Sequence, residues 1–398
     1  MSYIPLEGDT YTTFGEGNTF DKGAAIMYRS KCGQQSAIAL ICTCLLLFLS
    51  ACQGTAPPAK GTASHTPSPV LATQQTGTSF VIPPHVSGAS PSATPSPGKT
   101  SRPLLAFYYT WYSPSTWCLC HMSDLPVTPY DSSDEVTIDR QVTQAAGAGI
   151  TGFVSSWWGP GDKTDKNFVR LLAHAAALEK RTGYVFASSI YFESNSPHLS
   201  TTNTMVSGLR YALSRYSNDP HYFHWHGKPV VFIADPLKHG RTLTMWASIR
   251  KQVDPGNQVI WSAEGADIDL LNVFDGIHLF SAAYWGILQN DITAVDQGFR
   301  DKIDAYNHAH HTHKIWAAGV LPGYDDTRIP GRKGTYVVPR HNGATYRESW
   351  NGALASNPDW ITITTFNEWF EGAMIEPGIH YGNLYLDITR AFARRWQK

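Results

Sequence analysis

From Leu104 to the C-terminus, short apolar runs alternate with segments of helical period, and this alternation restricts the fold more than any other feature. Continuous apolar, β-branched runs are typical of parallel strands that are buried on both faces. Segments 165–182 and 242–253 instead space their apolar residues three and four apart, as on one face of a helix, and Gly183 is expected to end the first. The eight strand-like runs are 104–112, 149–158, 184–192, 229–235, 258–265, 274–285, 314–324 and 360–369.

Eight strand and helix alternations predict an α/β fold, a (β/α)8 barrel, for which about 250 residues is typical. A doubly wound open sheet is the alternative, but no G-x-G-x-x-G motif follows the first strand. The predicted catalytic domain covers residues 102–398. In such a barrel the active site lies at the carboxyl ends of the strands.

Residues 27–52 have the pattern of a signal peptide. Two cationic residues precede the apolar run 37–49, which is too short to span a bilayer comfortably. The final stretch LSAC resembles the lipobox of bacterial lipoproteins, so Cys52 is the expected lipidation site. An uncleaved signal anchor is the alternative. Either interpretation places the rest of the chain outside the cytoplasm, held at the bacterial cell membrane or secreted.

Two further N-terminal segments flank this signal. Residues 1–26 form a polar leader that would precede the true start of translation. Residues 53–101 are rich in Pro, Ser, Thr, Gly and Ala, and such a composition buries too little apolar surface to fold. The sequence therefore predicts a disordered linker between the membrane and the catalytic domain.

The charge balance and the aromatic content restrict the partner. A formal net charge of -1 leaves no basic excess for a nucleic-acid backbone. Aromatic residues make up 12% of the chain, with 13 Trp and 19 Tyr, which suits a cleft that stacks flat apolar faces. Sugar rings present such faces, so a glycan is the expected partner of a monomeric chain.

The acidic stretch TTFNEWFEGAMIEP begins within the last predicted strand and places Glu368 and Glu371 where that strand runs into its loop, at the mouth of the barrel. In glycosidases one carboxylic acid protonates the leaving oxygen while a second carboxylate assists at the sugar. Two neighbouring carboxyls also raise one of the two pKa values. The other strands end in further aromatic and acidic residues: Tyr108, Tyr109, Tyr112, Trp157, Trp158, Tyr191, Glu193, Asp235, Glu264, Tyr284, Trp285, Tyr324, Asp325 and Asp326.

The stretch FNEWFEGAMIEP resembles the F-N-E-W-H-E-G-T-x-I-E-P signature of glycoside hydrolase family 99, the endo-α-1,2-mannosidases and mannanases. FYYTWY, AGITGFVSSWWG, GKPVVFIAD and LPGYDDTRIPGR match as well, and together the motifs cover about residues 104–396. The resemblance implies a barrel that hydrolyses α-mannosides, such as α-mannan, with retention of configuration and without metal or organic cofactor. It also implies that the mannose 2-hydroxyl is the internal nucleophile and gives a 1,2-anhydro sugar.

The same resemblance implies individual roles. Glu368 takes the proton from the 2-hydroxyl, and Glu371 is the acid/base for the leaving oxygen. Asn367 is expected to orient Glu368 or bind the sugar, and Arg328 or Arg332 to contact sugar hydroxyls. The other residues expected to bind substrate, with at least one of the two adjacent tryptophans in the core, are Tyr109, Tyr112, Trp157, Trp158, Tyr191, Tyr284, Tyr324, Asp325 and Trp369.

The chain departs from the signature at two positions. Phe370 replaces the usual His, and Ala373 replaces Thr. The first change removes a hydrogen-bonding side chain beside Glu371, which concerns the identity of the substrate more than the reaction class. Glu376, before the final proline of the motif, is expected to be structural.

Two other function classes stay open. In one, the barrel binds carbohydrate without cleaving it. In the other, Glu264 or Asp235 attacks the anomeric carbon while Glu371 is the acid, which requires carboxyls about 5 to 5.5 Å apart.

Two clusters could suggest a metal site. Cys118, Cys120 and His121 lie after the first strand, but two thiols do not make a structural zinc site, and a partly oxidised loop rim is expected instead. Four histidines precede the seventh strand and are interpreted as a solvated surface opposite the active site: His308, His310, His311 and His313. The sequence therefore predicts no metal.

Overall fold

Eight parallel strands close into a barrel in the computed structural model, which describes residues 102–280 and 291–398. The strands, in chain order, are β1 (Leu104–Tyr108), β2 (Gly152–Trp157), β3 (Ser189–Phe192), β4 (His224–Trp225), β5 (Lys228–Ile233), β6 (Ile260–Glu264), β7 (Gly276–His278), β8 (Ile315–Val320), β9 (Tyr324–Asp325), β10 (Val337–Val338) and β11 (Trp360–Ile363). All but β4, β9 and β10 belong to the barrel. Each run predicted from the sequence overlaps one barrel strand, so the predicted (β/α)8 fold is confirmed.

The order around the barrel is β1, β2, β3, β5, β6, β7, β8 and β11, which pairs again with β1. The pairing of β3 with β5 completes the ring of strands, and in this pair Tyr191 lies opposite Phe232. The strand residues are buried on both faces because alternate side chains point inward and outward. Phe107, for example, packs in the barrel interior, whereas its neighbour Tyr108 packs in the outer layer against the helices.

Helices cover the outside of the barrel. They are α1 (Glu135–Gly147), α2 (Lys163–Thr182), α3 (Thr202–Tyr216), α4 (Leu243–Val253), α5 (Ile292–His310), α6 (Ala344–Ala355) and α7 (Leu384–Trp396). The predicted helices 165–182 and 242–253 correspond to α2 and α4. Asp162 caps the first turn of α2, and Gly183 ends the helix with a left-handed φ of 72°. The link between β6 and β7 departs from the regular pattern, because it contains the 3₁₀ turn Ile268–Asn272.

Three short strands, which the sequence did not indicate, lie at the two mouths of the barrel. At the N-terminal mouth, β4 pairs with the start of β5, and Trp225 packs edge-on against Trp360 with ring centroids 5.7 Å apart. At the C-terminal mouth, β9 and β10 pair antiparallel and so fix both ends of the loop 326–336.

Several predictions fall on residues outside the described part of the chain. They concern the leader 1–26, the signal peptide 27–52 with Cys52, the linker 53–101, and the rim residues Tyr284 and Trp285. Within the described ranges, no helix combines the length and the apolar character that a membrane crossing requires.

Candidate active site

A cavity of about 380 Å³ opens at the C-terminal mouth of the barrel. This volume falls in the range of about 300–1,000 Å³ that is usual for small-ligand sites. Its charged lining consists of Glu193, Glu368, Glu371 and Arg332. The remaining wall is aromatic or apolar and comprises Tyr109, Trp111, Trp158, Ile329, Pro330 and Phe370.

The loop after β11 brings both predicted catalytic glutamates to this cavity. Its chain turns back on itself, because the Glu368 N–H donates to the Thr365 hydroxyl at 2.7 Å and the Ile375 N–H donates to the Thr365 carbonyl at 3.0 Å. Gly372 makes the tight turn with a φ of +56°, and a side chain there would meet Ser123 Oγ at 2.6 Å. The fold of this loop therefore depends on the glycine of the acidic motif.

Glu368 is almost enclosed, with 3% of its surface exposed. Its Oε1 accepts a hydrogen bond from the Phe370 N–H at 3.1 Å and lies 3.4 Å from the Tyr112 hydroxyl. Burial raises the pKa of Glu368 well above its usual range, and the negative charge of Glu371 raises it further. Glu368 therefore keeps its proton to a higher pH than an ordinary carboxyl does.

Glu371 has a different neighbour, a guanidinium. Arg332 Nη1 lies 2.8 Å from Glu371 Oε1, 3.0 Å from Asp326 Oδ2 and 3.1 Å from the Tyr324 hydroxyl. Burial alone would lower the pKa of Arg332, but Glu371, Tyr324 and Asp326 together have the larger effect and the pKa is raised. The Asp325 N–H also donates to the Glu371 carbonyl at 2.8 Å, which ties the two loops together.

Glu193, at the end of β3, is a third carboxyl in the cavity. Its Oε1 accepts a hydrogen bond from Ser156 Oγ at 2.7 Å. Burial raises the pKa of Glu193, and the charges of Asp235 and Glu371 add to this effect. The sequence places Glu193 at the mouth of the barrel, but the motif match assigns it no role.

Three predicted substrate-binding residues, Asn367, Tyr112 and Trp369, are fully buried behind the cavity wall. Asn367 Oδ1 accepts from the Tyr109 N–H at 2.7 Å, and its Nδ2 donates to the Tyr109 carbonyl at 2.8 Å. The Tyr112 hydroxyl donates to the Asn367 carbonyl at 2.9 Å and accepts from the Trp369 N–H at 3.0 Å. These bonds join the loop after β1 to the loop after β11. Of the two roles predicted for Asn367, the geometry favours positioning over sugar contact.

The adjacent tryptophans 157 and 158 take different positions. Trp157 is fully buried in the outer core, and its Nε1 donates to Asp165 Oδ1 at 3.1 Å. Trp158 lines the cavity, with its Nε1 donating to Ser156 Oγ at 3.0 Å. The alternation of side chains along a strand accounts for this difference, so Trp157 does not form a cavity wall.

Residues after β8 also differ from one another. Arg328 is exposed and donates to the carbonyls of Leu119 and Met122 at 3.0 and 3.1 Å, so it is Arg332 that lines the cavity. Asp325 Oδ1 accepts from the Thr327 N–H at 3.1 Å, as in a local turn. Tyr324 does not line the cavity, and its hydroxyl accepts a hydrogen bond from Arg332 Nη1 at 3.1 Å.

The carboxyls considered as alternative nucleophiles lie beside the cavity rather than in its lining. Glu264 Oε2 accepts hydrogen bonds from the Tyr191 hydroxyl and, at 3.1 Å, from the Asp235 N–H. Burial and the charge of Asp235 raise the pKa of Glu264 to about 8. Asp235 is itself paired with Lys238 at 2.7 Å. Tyr191, a predicted substrate-binding residue, is likewise not in the cavity lining, and its hydroxyl bonds Glu264.

The two departures from the signature have different surroundings. Phe370 lines the cavity and stacks near the Tyr112 ring at 5.8 Å, whereas Ala373 is fully buried. Glu376 is buried and accepts hydrogen bonds from Trp369 Nε1 at 3.0 Å and from Gln141 Nε2 at 2.8 Å, a structural arrangement.

The clusters considered for metal binding contain no arranged donor set in residues 102–280 and 291–398, where no group of three or more His, Cys, Asp or Glu side chains is placed to hold a metal. Cys118 and Cys120 form a disulfide in the loop after β1. The histidine run ends α5, with His311 in a left-handed conformation as its C-cap.

Comparison with known proteins gives one consistent family. The family model described as Glycosyl hydrolase family 99 matches residues 123–391. The chain is 24% identical over 301 residues to the mouse glycoprotein endo-alpha-1,2-mannosidase, covering 68% of this chain and 62% of the relative. It is 27% identical over 301 residues to the human glycoprotein endo-alpha-1,2-mannosidase-like protein, covering 68% of this chain and 63% of the relative. The chain thus spans less than two thirds of these relatives.

A solved structure shows the same fold. The GH99 endo-alpha-mannosidase from Bacteroides thetaiotaomicron in complex with bis-tris propane superposes with a TM-score of 0.63 and 23% sequence identity. The alignment covers 75% of this chain and 98% of that chain.

Proposed function

The chain belongs to glycosyl hydrolase family 99, and on this premise we propose that it is a retaining glycoside hydrolase that cleaves α-mannosides with participation of the sugar 2-hydroxyl. The observation that carries the proposal is the pairing of Glu368 and Glu371, which come from one loop and line one cavity. Their environments differ, because Glu368 contacts a backbone N–H and a tyrosine hydroxyl whereas Glu371 contacts the Arg332 guanidinium.

In the first step, Glu371 gives its proton to the bridging oxygen and Glu368 takes the proton of the 2-hydroxyl. The bond from C1 to the bridging oxygen breaks with its electron pair on that oxygen, and O2 forms a bond to C1. The product is a 1,2-anhydro sugar. O2 reaches C1 only when it is anti to the leaving group, which an α-manno configuration with an axial 2-hydroxyl provides.

In the second step, water attacks C1 from the face that the leaving group has vacated, and its proton passes to Glu371. The bond between C1 and O2 breaks, and O2 recovers its proton from Glu368. Two inversions at C1 give net retention. Glu368 must be ionised to begin the cycle, so its raised pKa predicts that activity falls when the pH drops below that pKa.

The test uses the full chain with α-mannan and with α-1,2-, α-1,3- and α-1,6-linked manno-oligosaccharides. We expect released oligosaccharide from at least one substrate, with a loss of about 100-fold or more in kcat for Glu371→Gln. The matched control is Glu348→Gln, an exposed glutamate on α6 whose replacement leaves the rate unchanged. Tight binding without product from the folded wild type would establish the binding-only alternative.

A 2-deoxy analogue of the cleaved substrate separates the two hydrolytic schemes. The proposed mechanism has no nucleophile when the 2-hydroxyl is missing, so turnover is expected to stop. A conventional scheme with Glu264 or Asp235 as nucleophile would still form a glycosyl-enzyme and release product. The positions of both residues outside the cavity lining support the first scheme.

We also propose, from the sequence pattern alone, that the domain acts outside the cytoplasm on a lipid anchor at Cys52. In a bacterial host, Cys52→Ala is expected to move the protein from the membrane fraction to the soluble or unprocessed fraction. An unchanged distribution would contradict the anchor.

A further inference from the structure

Arg332 contacts three groups at once at the edge of the cavity. Its Nη1 approaches Glu371 Oε1, Asp326 Oδ2 and the Tyr324 hydroxyl at 2.8, 3.0 and 3.1 Å, and 12% of the side chain is exposed. A guanidinium that is held between two buried carboxyl groups has little freedom to move without leaving one of them unpaired. Its position therefore fixes the position of Glu371.

The loop that carries Arg332 is itself held at both ends. The pairing of β9 with β10 fixes its two termini, and Asp326 Oδ1 accepts from the Tyr336 N–H at 2.9 Å. The Asp325 N–H donates to the Glu371 carbonyl at 2.8 Å. The strand pair β9 and β10 thus holds both the backbone of Glu371 and the loop that carries Arg332.

The two catalytic carboxyls differ in this respect. Glu368 accepts from a backbone N–H and lies near a tyrosine hydroxyl, both of which are uncharged, whereas Glu371 has a full positive charge at 2.8 Å. A nearby positive charge lowers the free energy of a carboxylate relative to the protonated acid. In the proposed mechanism Glu371 gives its proton to the leaving oxygen, and Glu371 is the carboxyl that contacts the guanidinium.

We propose that Arg332 positions Glu371 as the acid for the leaving group, an inference that rests on the proposed function. Arg332 holds one carboxyl oxygen, Oε1, so that Oε2 is directed toward the bridging oxygen. When the proton passes from Glu371 to that oxygen, the carboxylate charge forms next to the guanidinium and is stabilised there. Arg332 exchanges no proton and forms no bond to the substrate in this step.

This role belongs to the first step and matters there only when the leaving group needs a proton. An oligosaccharide leaves as an alkoxide unless it is protonated, whereas fluoride leaves as a stable anion. Loss of Arg332 is therefore expected to slow the cleavage of a sugar leaving group far more than the cleavage of the matching glycosyl fluoride. A residue that merely supports the fold would change both rates by the same factor.

The experiment compares Arg332→Met and Arg332→Lys in the full chain on an α-manno-oligosaccharide and on the α-fluoride of its glycone part. For Arg332→Met we expect kcat to fall about 100-fold on the oligosaccharide and less than about 5-fold on the fluoride. Arg332→Lys keeps the charge but loses the planar guanidinium, so kcat on the oligosaccharide should fall about 10-fold for this variant. This second variant carries the test if the methionine variant fails to fold.

The matched control is Lys333→Met, which removes a positive charge from the next, exposed position of the same loop. We expect equal rates for this variant and the wild type on both substrates. Equal losses on the two substrates for either Arg332 variant, or no loss at all, would overturn the proposal. Failure of the proposed function looks different, because the wild type itself would then cleave neither substrate.

Discussion

The two mouths of the barrel both contain a cavity and several carboxylates, but the carboxylates have different partners. The N-terminal cavity is the larger, at about 1070 Å³, compared with about 380 Å³ at the C-terminal mouth. At the N-terminal mouth, Asp275 accepts from the Trp261 N–H at 2.9 Å and pairs with Arg250 at 2.7 Å. Asp359 likewise accepts from the Trp316 N–H at 2.9 Å. These acids bind the backbone N–H groups of the second residues of β6 and β8.

At the C-terminal mouth, the acids that line the cavity contact side chains and one loop N–H instead of strand N–H groups. Glu193, Glu368 and Glu371 are all buried, and the pKa values of Glu193 and Glu368 are raised, first by burial. A carboxylate that binds strand N–H groups is occupied by the fold, whereas one that lines a cavity with a raised pKa is available for chemistry. The partners of the acids, and not the size of the cavity, therefore identify the candidate active site.

The largest expected effect is catalytic and belongs to the C-terminal mouth. Glu368→Gln should lower kcat by about 1,000-fold on both the oligosaccharide and the glycosyl fluoride, because in the proposed mechanism the 2-hydroxyl loses its proton whatever the leaving group is. Steady-state rates on the two substrates check this. Asp359→Asn is the counterpart at the N-terminal mouth, and it should lower the melting temperature while kcat is kept. If the two variants lose activity alike, the contrast between the mouths is wrong.

The second effect concerns stability and belongs to the N-terminal mouth. Trp360 is fully buried there and packs against the rings of Phe223, Trp225 and Phe232 at 5.5 to 5.7 Å. Trp360→Ala should lower the free energy of unfolding by about 3–5 kcal/mol, because removal of the indole ring leaves a cavity in the core. Denaturant unfolding measures this loss.

Its control at the other mouth is Trp158→Ala. Trp158 is partly buried and lines the active-site cavity, so its removal should raise KM with a much smaller loss of stability. A larger loss of stability for Trp158→Ala than for Trp360→Ala would contradict the assignment of a structural role to Trp360 and a substrate-binding role to Trp158.

The same comparison shows what a sequence can predict. The barrel strands were predictable because burial on both faces leaves continuous apolar runs, as in 104–112 and 360–369. Glu368 and Glu371 were predictable as a pair because both follow one strand directly. Their chemical surroundings come from distant loops and could not be seen in that stretch.

Particular residues show where the prediction stops. Asn367 bonds the Tyr109 backbone across 258 positions of sequence, and no local pattern reveals such a contact. Arg328 and Arg332 stand in one irregular loop, where no periodicity tells which of them points to the cavity. Trp157 and Trp158 were separable in principle, because neighbours along a strand face opposite sides, but the end of β2 had to be known first.

The third expected effect is on stability and concerns a buried acid that lies at neither mouth of the barrel. Asp296 on α5 is fully buried, and in the described part of the chain neither of its carboxyl oxygens has a hydrogen-bond partner. Burial raises its pKa well above the usual range. A group whose pKa is raised by folding contributes its stability below the unfolded pKa and loses it as the pH rises toward the folded value.

Asp296→Asn should therefore raise the free energy of unfolding at pH 7 by about 1 kcal/mol, and the gain should shrink as the pH falls toward about 3.9, the ordinary pKa of Asp. Unfolding curves at several pH values check both statements. Asp359→Asn is the matched control, because that carboxylate has partners and its loss should destabilise at pH 7. A gain that does not depend on pH would point to packing instead of ionisation.

The smallest effect concerns Phe370, one of the two residues that depart from the family signature. Its ring lies in the cavity wall, next along the chain to Glu371, and only its backbone N–H contacts Glu368. An apolar ring here favours an aglycone with an apolar face, whereas an imidazole would favour one with hydroxyls. Phe370→His should thus lower the ratio of kcat/KM for an aryl α-mannoside to that for a sugar aglycone by about 5-fold, roughly 1 kcal/mol. Phe370→Leu keeps the apolar character and should keep the ratio, so equal shifts in the two variants would show that only the shape of the ring matters.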